Sequence, residues 1–127
     1  MSTLNAVNTS AAPAAIGPYS QAIKTGGLVF LSGQIPLDPD TMEVVAGGIA
    51  AQTHQVFKNL IAVCDAAGGT LANAAKLTIY LTDLGDFAEV NGIMAEYFSE
   101  PYPARATIQV SALPKGVNVE IDAVLSL

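Results

Sequence analysis

The stretch "RATIQVSALPKGVNVEIDAVL" (residues 105–125) contains two runs in which polar and apolar residues alternate. Alternation with a period of two is typical of strands that bury one face, so we predict strands over 105–111 and 117–125. If these strands form a regular hairpin with their polar faces matched, Arg105 and Glu120 lie roughly 13–20 Å apart along it. That separation is too long for an ion pair. The two side chains would then meet through a bend, through a ligand or across a subunit boundary.

Upstream of this stretch, the sequence predicts two helices and at least three further strands. Apolar residues at steps of three and four give the first helix an inward stripe, and Gly26-Gly27 indicates a hairpin turn. The predicted elements are an irregular segment over 1–17, strands over 19–24 and 28–35, a stub strand over 43–45, a helix over 48–67, a strand over 75–81 and a helix over 86–98. The order β-β-(β)-α-β-α-β-β predicts a single two-layer α+β domain over residues 1–127, with both helices on one face of a mixed sheet.

The composition restricts the partners of such a domain. The formal net charge is −6, and the five bases are scattered rather than gathered into a patch, which argues against binding to nucleic acid or an anionic membrane. No run approaches 18 apolar residues, and residues 1–23 lack the basic and apolar regions of an export signal, so we expect a cytoplasmic protein. Because 51% of the residues are hydrophobic, a second subunit is expected to cover the bare face of the sheet.

Few residues in this sequence suggest chemistry on their own. Arg105, the single arginine, is either an ordinary surface ion-pair partner or a bidentate receptor for a carboxylate or phosphate. Glu120 is either a solvated carboxylate or a group that positions water. Tyr19 is either a core residue or a hydroxyl presented to a pocket, and Ser32-Gly33 in mid-strand suggests a bulge.

The chain offers no metal site and no nucleophilic triad. Its single histidine, His54, falls off the inward stripe of the first helix, so a solvated or subunit-facing role is expected. Its single cysteine, Cys64, lies on that stripe and is expected to be a buried small apolar residue. No Cys/His cluster suggests a metal.

Four segments together resemble the Rid family, also called YjgF, and most closely its reactive intermediate deaminase A branch. They are "AAIGPYSQAI" (14–23), "LVFLSGQIPLDP" (28–39), "LTDLGDFAEVN" (81–91) and "PARATIQVSALPKGVNVEIDA" (103–123). The resemblance implies a chorismate-mutase-like fold and a homotrimer with ligand pockets between subunits. It also implies a cofactor-independent 2-iminobutanoate/2-iminopropanoate deaminase that converts enamines and imines such as 2-aminoacrylate to 2-keto acids and ammonia.

The same resemblance assigns roles to individual residues. Arg105 would bind the substrate carboxylate, Glu120 would orient the attacking water, and Tyr19 would belong to the catalytic pocket. Ser32, Gly33, Phe87, Asn91 and Thr107 would contact the substrate. Many members of the branch have cysteine where this chain has Thr107, so thiol chemistry does not carry over to it. The alternative functions are a keto-acid-binding regulatory trimer without significant turnover, and a ribonuclease, which the acidic charge disfavours.

Overall fold

A mixed six-stranded sheet forms the centre of the computed structural model, which describes residues 3–127. The strands are β1 (Asn5–Val7), β2 (Ala22–Thr25), β3 (Leu28–Gln34), β4 (Ala74–Leu81), β5 (Ala104–Gln109) and β6 (Val119–Ser126). Their order across the sheet is β1-β2-β3-β6-β4-β5. Neighbouring strands are antiparallel, except for the parallel pair of β4 and β5.

Two helices, α1 (Ile49–Ala67) and α2 (Phe87–Tyr97), cover one face of this sheet. The predicted stripe of α1 is buried from Thr53 to Ala67, and the helix ends at Gly68, whose φ of 89° suits a residue without a Cβ. Val90, Ile93 and Met94 are the buried residues of α2. Alternate residues of β3, β4 and β6 complete the core, including Val29, Leu77, Ile79, Leu81, Val119, Ile121 and Leu125. The predicted two-layer α+β architecture is therefore confirmed.

The opposite face of the sheet has no helix on it among the described residues. Leu28, Phe30 and Ile108 lie on this face with 40%, 46% and 44% of their surfaces exposed. Glu120, Asp122 and Tyr80 share the same face, because they alternate with the buried residues of β6 and β4. We refer to this as the open face. No helix within residues 3–127 is long and apolar enough to cross a bilayer.

The structure corrects two predictions about the strands and excludes one possible pairing. The predicted irregular segment over 1–17 contains β1, which lacks a clear pattern because Asn5 and Ala6 are exposed and only Val7 is buried. The stub strand predicted over 43–45 is instead an isolated bridge between Leu37 and Val44. The hairpin considered as one possible pairing of the last two strands does not form.

The hairpin is replaced by a crossover arrangement in which β4 lies between β5 and β6. α2 connects β4 to β5, and a helical crossover of this length brings the second strand back parallel to the first. β6 then pairs antiparallel with both β3 and β4. The polar face of β5 is consequently not matched to the polar face of β6.

Candidate active site

Arg105 lies on the helix-covered face of the sheet, next to α2. It is paired with the buried Leu77 of β4 in the strand register, so its side chain points toward the helix layer. Its Nη1 donates to Asn91 Oδ1 at 2.5 Å and approaches Met94 Sδ at 3.7 Å. The guanidinium carbon stands 5.2 Å from the ring centroid of Phe87. Residues Phe87 and Asn91, predicted to belong to the site, thus hold the arginine in place.

A cleft of about 470 Å³ opens beside this arginine, lined by Asn91, Met94, Ala95, Tyr102, Pro103 and Arg105. We call it the arginine cleft. Every contact that fixes the guanidinium is with a neutral group, and no acid within residues 3–127 lies at ion-pair distance. Both hydrogen bonds come from Nη1, so the other donors of the guanidinium are left for an anion. The protomer therefore does not provide the surface ion pair that was the alternative interpretation of Arg105.

Thr107 follows Arg105 on the same face of β5, opposite Ile79. Its Oγ1 is buried, and within residues 3–127 it has no hydrogen-bond partner. Buried hydroxyl groups are nearly always paired, so an unpaired one near a candidate site is available to a ligand or a water.

A second cleft, of about 450 Å³, lies on the other side of the sheet and contains Glu120. We call it the glutamate cleft; it is lined by Pro13, Ala14, Ile16, Tyr19, Gln21, Gly33, Gln34, Ile35, Leu37, Met42, Pro114, Lys115 and Glu120. Tyr19 is 54% exposed there, which decides between the two interpretations of this residue: it is not part of the core. Its position fits a hydroxyl presented to a pocket.

The predicted bulge of β3 brings Gly33 against Glu120. In the pairing with β6, Leu31 lies opposite Ala123 and Gln34 opposite Ile121, so Ser32 and Gly33 together face a single residue, Asp122. A Cβ placed on Gly33 would stand 2.9 Å from Cδ of Glu120. Ser32 is anchored by its hydroxyl, which donates to the carbonyl of Ser20 at 2.6 Å. The absence of a side chain at Gly33 therefore makes room for the carboxylate.

Glu120 is half-buried, and its surroundings favour the protonated form. Burial raises the pKa of this carboxyl, and the negative charge of Asp122 raises it further. Asp122 accepts a hydrogen bond of 2.9 Å from the hydroxyl of Tyr80, whose own pKa is raised by that bond. A carboxyl with a raised pKa can take up a proton more readily, which suits a group that shuttles protons.

The predicted site residues thus divide into two groups within one protomer. Arg105, Phe87, Asn91 and Thr107 lie on the helix-covered face, whereas Tyr19, Gly33 and Glu120 border the glutamate cleft. Ser32 precedes Gly33 in the bulge and is not among the residues that line this cleft. The two faces are separated by the sheet itself, because Arg105 is in register with buried Leu77 and Glu120 with Tyr80 of the open face. A single protomer does not bring Arg105 and Glu120 together.

Sequence reasoning missed several residues that border the clefts. Met94 is not among the predicted site residues, yet its sulfur touches Arg105. Tyr102 and Pro103 line the arginine cleft, and Met42 and Lys115 line the glutamate cleft. Asp122 shares the face of Glu120, as its spacing of two residues along the strand predicts. The loop residues carry no periodic signal.

His54 and Cys64 lie away from both clefts. His54 is half-buried rather than solvated, and its Nδ1 lies 2.7 Å from the hydroxyl of Tyr97. Cys64 is fully buried as predicted, and burial raises the pKa of its thiol to about 11. A thiol of this kind is unreactive at neutral pH.

Comparison with known proteins identifies relatives over nearly the whole chain. The family model described as "Endoribonuclease L-PSP" matches residues 9–126. A RutC family protein of Sinorhizobium fredii is 54% identical over 121 residues, covering 95% of this chain and 96% of that protein. The human 2-iminobutanoate/2-iminopropanoate deaminase is 46% identical over 118 residues, covering 93% and 86%. The crystal structure of RidA from an Antarctic Psychrobacter species superposes with a TM-score of 0.94 at 51% identity, covering 97% of this chain and 99% of that one.

Proposed function

Because this chain belongs to the Rid (YjgF) family, we propose that it is a deaminase that hydrolyses small 2-imino acids to 2-keto acids and ammonia. The observation that carries the proposal is the position and the unpaired charge of Arg105. Its guanidinium is held by Asn91 and Phe87, borders an open cleft and has no acidic partner within residues 3–127. Such a group suits a small carboxylate, which a planar guanidinium binds through two parallel hydrogen bonds.

The proposed reaction consumes one water and releases one ammonia. An enamine such as 2-aminoacrylate first tautomerises to the imine, R–C(=NH)–COO⁻. Water then attacks the imine carbon, a C–O bond forms, and the electron pair of the C=N bond moves to nitrogen. Glu120 takes one proton from the water and passes it to the nitrogen, which gives the carbinolamine R–C(OH)(NH2)–COO⁻. Glu120 then moves the remaining hydroxyl proton to the nitrogen, the C–N bond breaks as the C=O bond forms, and NH3 leaves the 2-keto acid R–CO–COO⁻. The raised pKa of Glu120 supports this exchange of protons.

The proposed site is formed between subunits of a homotrimer. Arg105 and Glu120 face opposite sides of one sheet, so one protomer cannot apply both to one small substrate. The arginine cleft of one subunit against the glutamate cleft of the next would bring them together. The exposed apolar side chains of Leu28, Phe30 and Ile108 support the burial of the open face in such an assembly. A cytoplasmic location remains a prediction.

The test is a coupled assay in which a threonine dehydratase generates 2-iminobutanoate. We expect the protein to accelerate the release of 2-oxobutanoate. Arg105→Lys keeps the positive charge and loses the two parallel donors of the guanidinium. We expect this variant to lower kcat/KM by about 10²-fold with its oligomeric state unchanged. No acceleration by the wild-type protein would refute the deaminase. Binding of 2-oxobutanoate without acceleration would instead support the keto-acid-binding regulatory trimer. Full activity of Arg105→Lys would exclude the bidentate role.

A further inference from the structure

Lys115 lies at the edge of the glutamate cleft, in the turn that precedes β6. It borders the same cavity as Glu120 and Tyr19, and it is the one lysine or arginine among the described residues that line this cavity. The turn is a 3₁₀ segment over Pro114–Gly116. The side chain is exposed, and no acid within residues 3–127 forms an ion pair with it.

The backbone of Lys115 is held in a conformation that side chains rarely adopt. Its φ is 58° and its ψ is 20°, in the left-handed region. In the described part of the chain the other non-glycine residue with positive φ is Met42, and it borders the same cleft. Strained residues of this kind persist where the surrounding structure fixes them, and they cluster at ligand-binding sites. This backbone conformation sets the direction of the Cα–Cβ bond of Lys115 relative to the cleft.

The acidic charge of the molecule makes the positive charge of Lys115 relevant to the binding of an anion. The net charge of −6 repels an anionic substrate, and Glu120 adds an acidic group to the lining of the glutamate cleft. Asp122 lies on the same face of β6 as Glu120. A charge at the mouth of a cleft with low-dielectric walls has its field focused there, which raises the local concentration of ions of opposite charge. Most other residues that line this cleft are neutral and apolar.

We propose that Lys115 is a further substrate-binding residue, whose ammonium attracts the carboxylate of the incoming substrate into the glutamate cleft before Arg105 of a neighbouring subunit binds it. This inference rests on the proposed deaminase function and extends it. The attraction acts on capture of the anion, so it raises kcat/KM and leaves kcat unchanged. It also decreases with ionic strength, because salt screens an exposed charge.

The test compares Lys115→Asn with Lys58→Gln. Asparagine tolerates the left-handed backbone and removes the charge, and Lys58 is an exposed lysine of α1 whose replacement by glutamine makes the same charge change on the helix layer. We expect Lys115→Asn to lower kcat/KM about 3- to 10-fold at low ionic strength and to weaken its salt dependence, with kcat and the thermal midpoint unchanged. Lys58→Gln and Lys115→Arg should behave as the wild-type protein.

Equilibrium binding of 2-oxobutanoate, measured by calorimetry at several salt concentrations, provides a second readout that needs no turnover. Weaker and less salt-dependent binding by Lys115→Asn supports the inference even if the wild-type protein has no deaminase activity. Wild-type kcat/KM, affinity and salt dependence in Lys115→Asn would overturn the role of Lys115 while leaving the deaminase intact. If the wild-type protein neither turns over the imine nor binds the keto acid, both proposals fail.

Discussion

Glu120 occupies a position where an ionised carboxylate reduces the stability of the fold. The side chain is half-buried between the bulge of β3 and the same-face Asp122, and burial followed by the charge of Asp122 raises its pKa above the ordinary value of 4.5. The native state therefore binds this proton more tightly than the unfolded state does. Its stabilising contribution is fully present below the unfolded pKa and is lost as the pH rises through the raised folded pKa.

Replacing this carboxyl by an amide should remove the loss of folding stability that accompanies its ionisation. We expect Glu120→Gln to be more stable than the wild-type protein at neutral pH, with the difference shrinking as the pH falls and vanishing below about 4.5. The measurement is the urea midpoint across this pH range at fixed protein concentration, since assembly couples to stability. Glu120→Asp retains a carboxylate and should keep the wild-type dependence. A Glu120→Gln protein less stable than wild type at every pH would contradict the assignment.

The bulge of β3 places Gly33 against the side chain of Glu120, the proposed catalytic carboxyl. Because Ser32 and Gly33 share one partner on β6, the strand bends locally and the bare Cα of Gly33 turns toward Glu120. A Cβ at this position collides with the carboxyl end of a side chain rather than with backbone. The flexible side chain can move aside, so the collision displaces the proposed catalytic carboxyl without unfolding the strand.

Gly33→Ala should therefore separate activity from stability. We expect the free energy of unfolding to change by less than about 1 kcal/mol, whereas kcat/KM falls by about 10²-fold because a carboxylate moved by about an ångström no longer aligns the water. Gly92→Ala is the matched control, since a Cβ there meets no atom within 4 Å. Activity of Gly33→Ala equal to that of the control would show that the close contact with Glu120 has no catalytic role.

Among the secondary-structure elements, the sequence predicts those that have a clear apolar periodicity or a specific turn sequence. Both helices are found because their apolar residues recur at helical spacing over three or more turns. The β2–β3 hairpin is found because Gly26 and Gly27 supply the two positive φ values, 54° and 86°, that a tight hairpin turn needs. β1 is missed because three residues with one buried side chain show no alternation.

Strand pairing is a property of the whole molecule and is harder to predict. The alternation in β5 and β6 is real, but a period-two pattern does not specify which strand lies next to which. β5 is an edge strand with no fully buried residue, so its pattern does not show which face the helices cover. The residues of the candidate site are proposed from the family resemblance, whereas their division between two faces follows from the insertion of β4 between β5 and β6.

That division predicts how two inactive variants should behave when mixed. Arg105→Ala lacks the proposed carboxylate receptor and keeps Glu120, whereas Glu120→Gln lacks the proposed water-positioning carboxylate and keeps Arg105. If each site takes Arg105 from one subunit and Glu120 from the next, a random 1:1 mixture regenerates complete sites in about one quarter of the positions of a trimer. Refolding the two variants together should then restore about 25% of the wild-type activity.

The controls for this experiment decide between a shared site and a site within one chain. Each variant refolded alone should stay inactive, and light scattering should give the mass of a trimer for both variants and for the mixture. Mixing the two variants without unfolding them should restore activity only as fast as subunits exchange. Persistent inactivity of a correctly assembled mixture would mean that Arg105 and Glu120 act from the same protomer, which would require β5 to leave the edge position next to β4 that it has here.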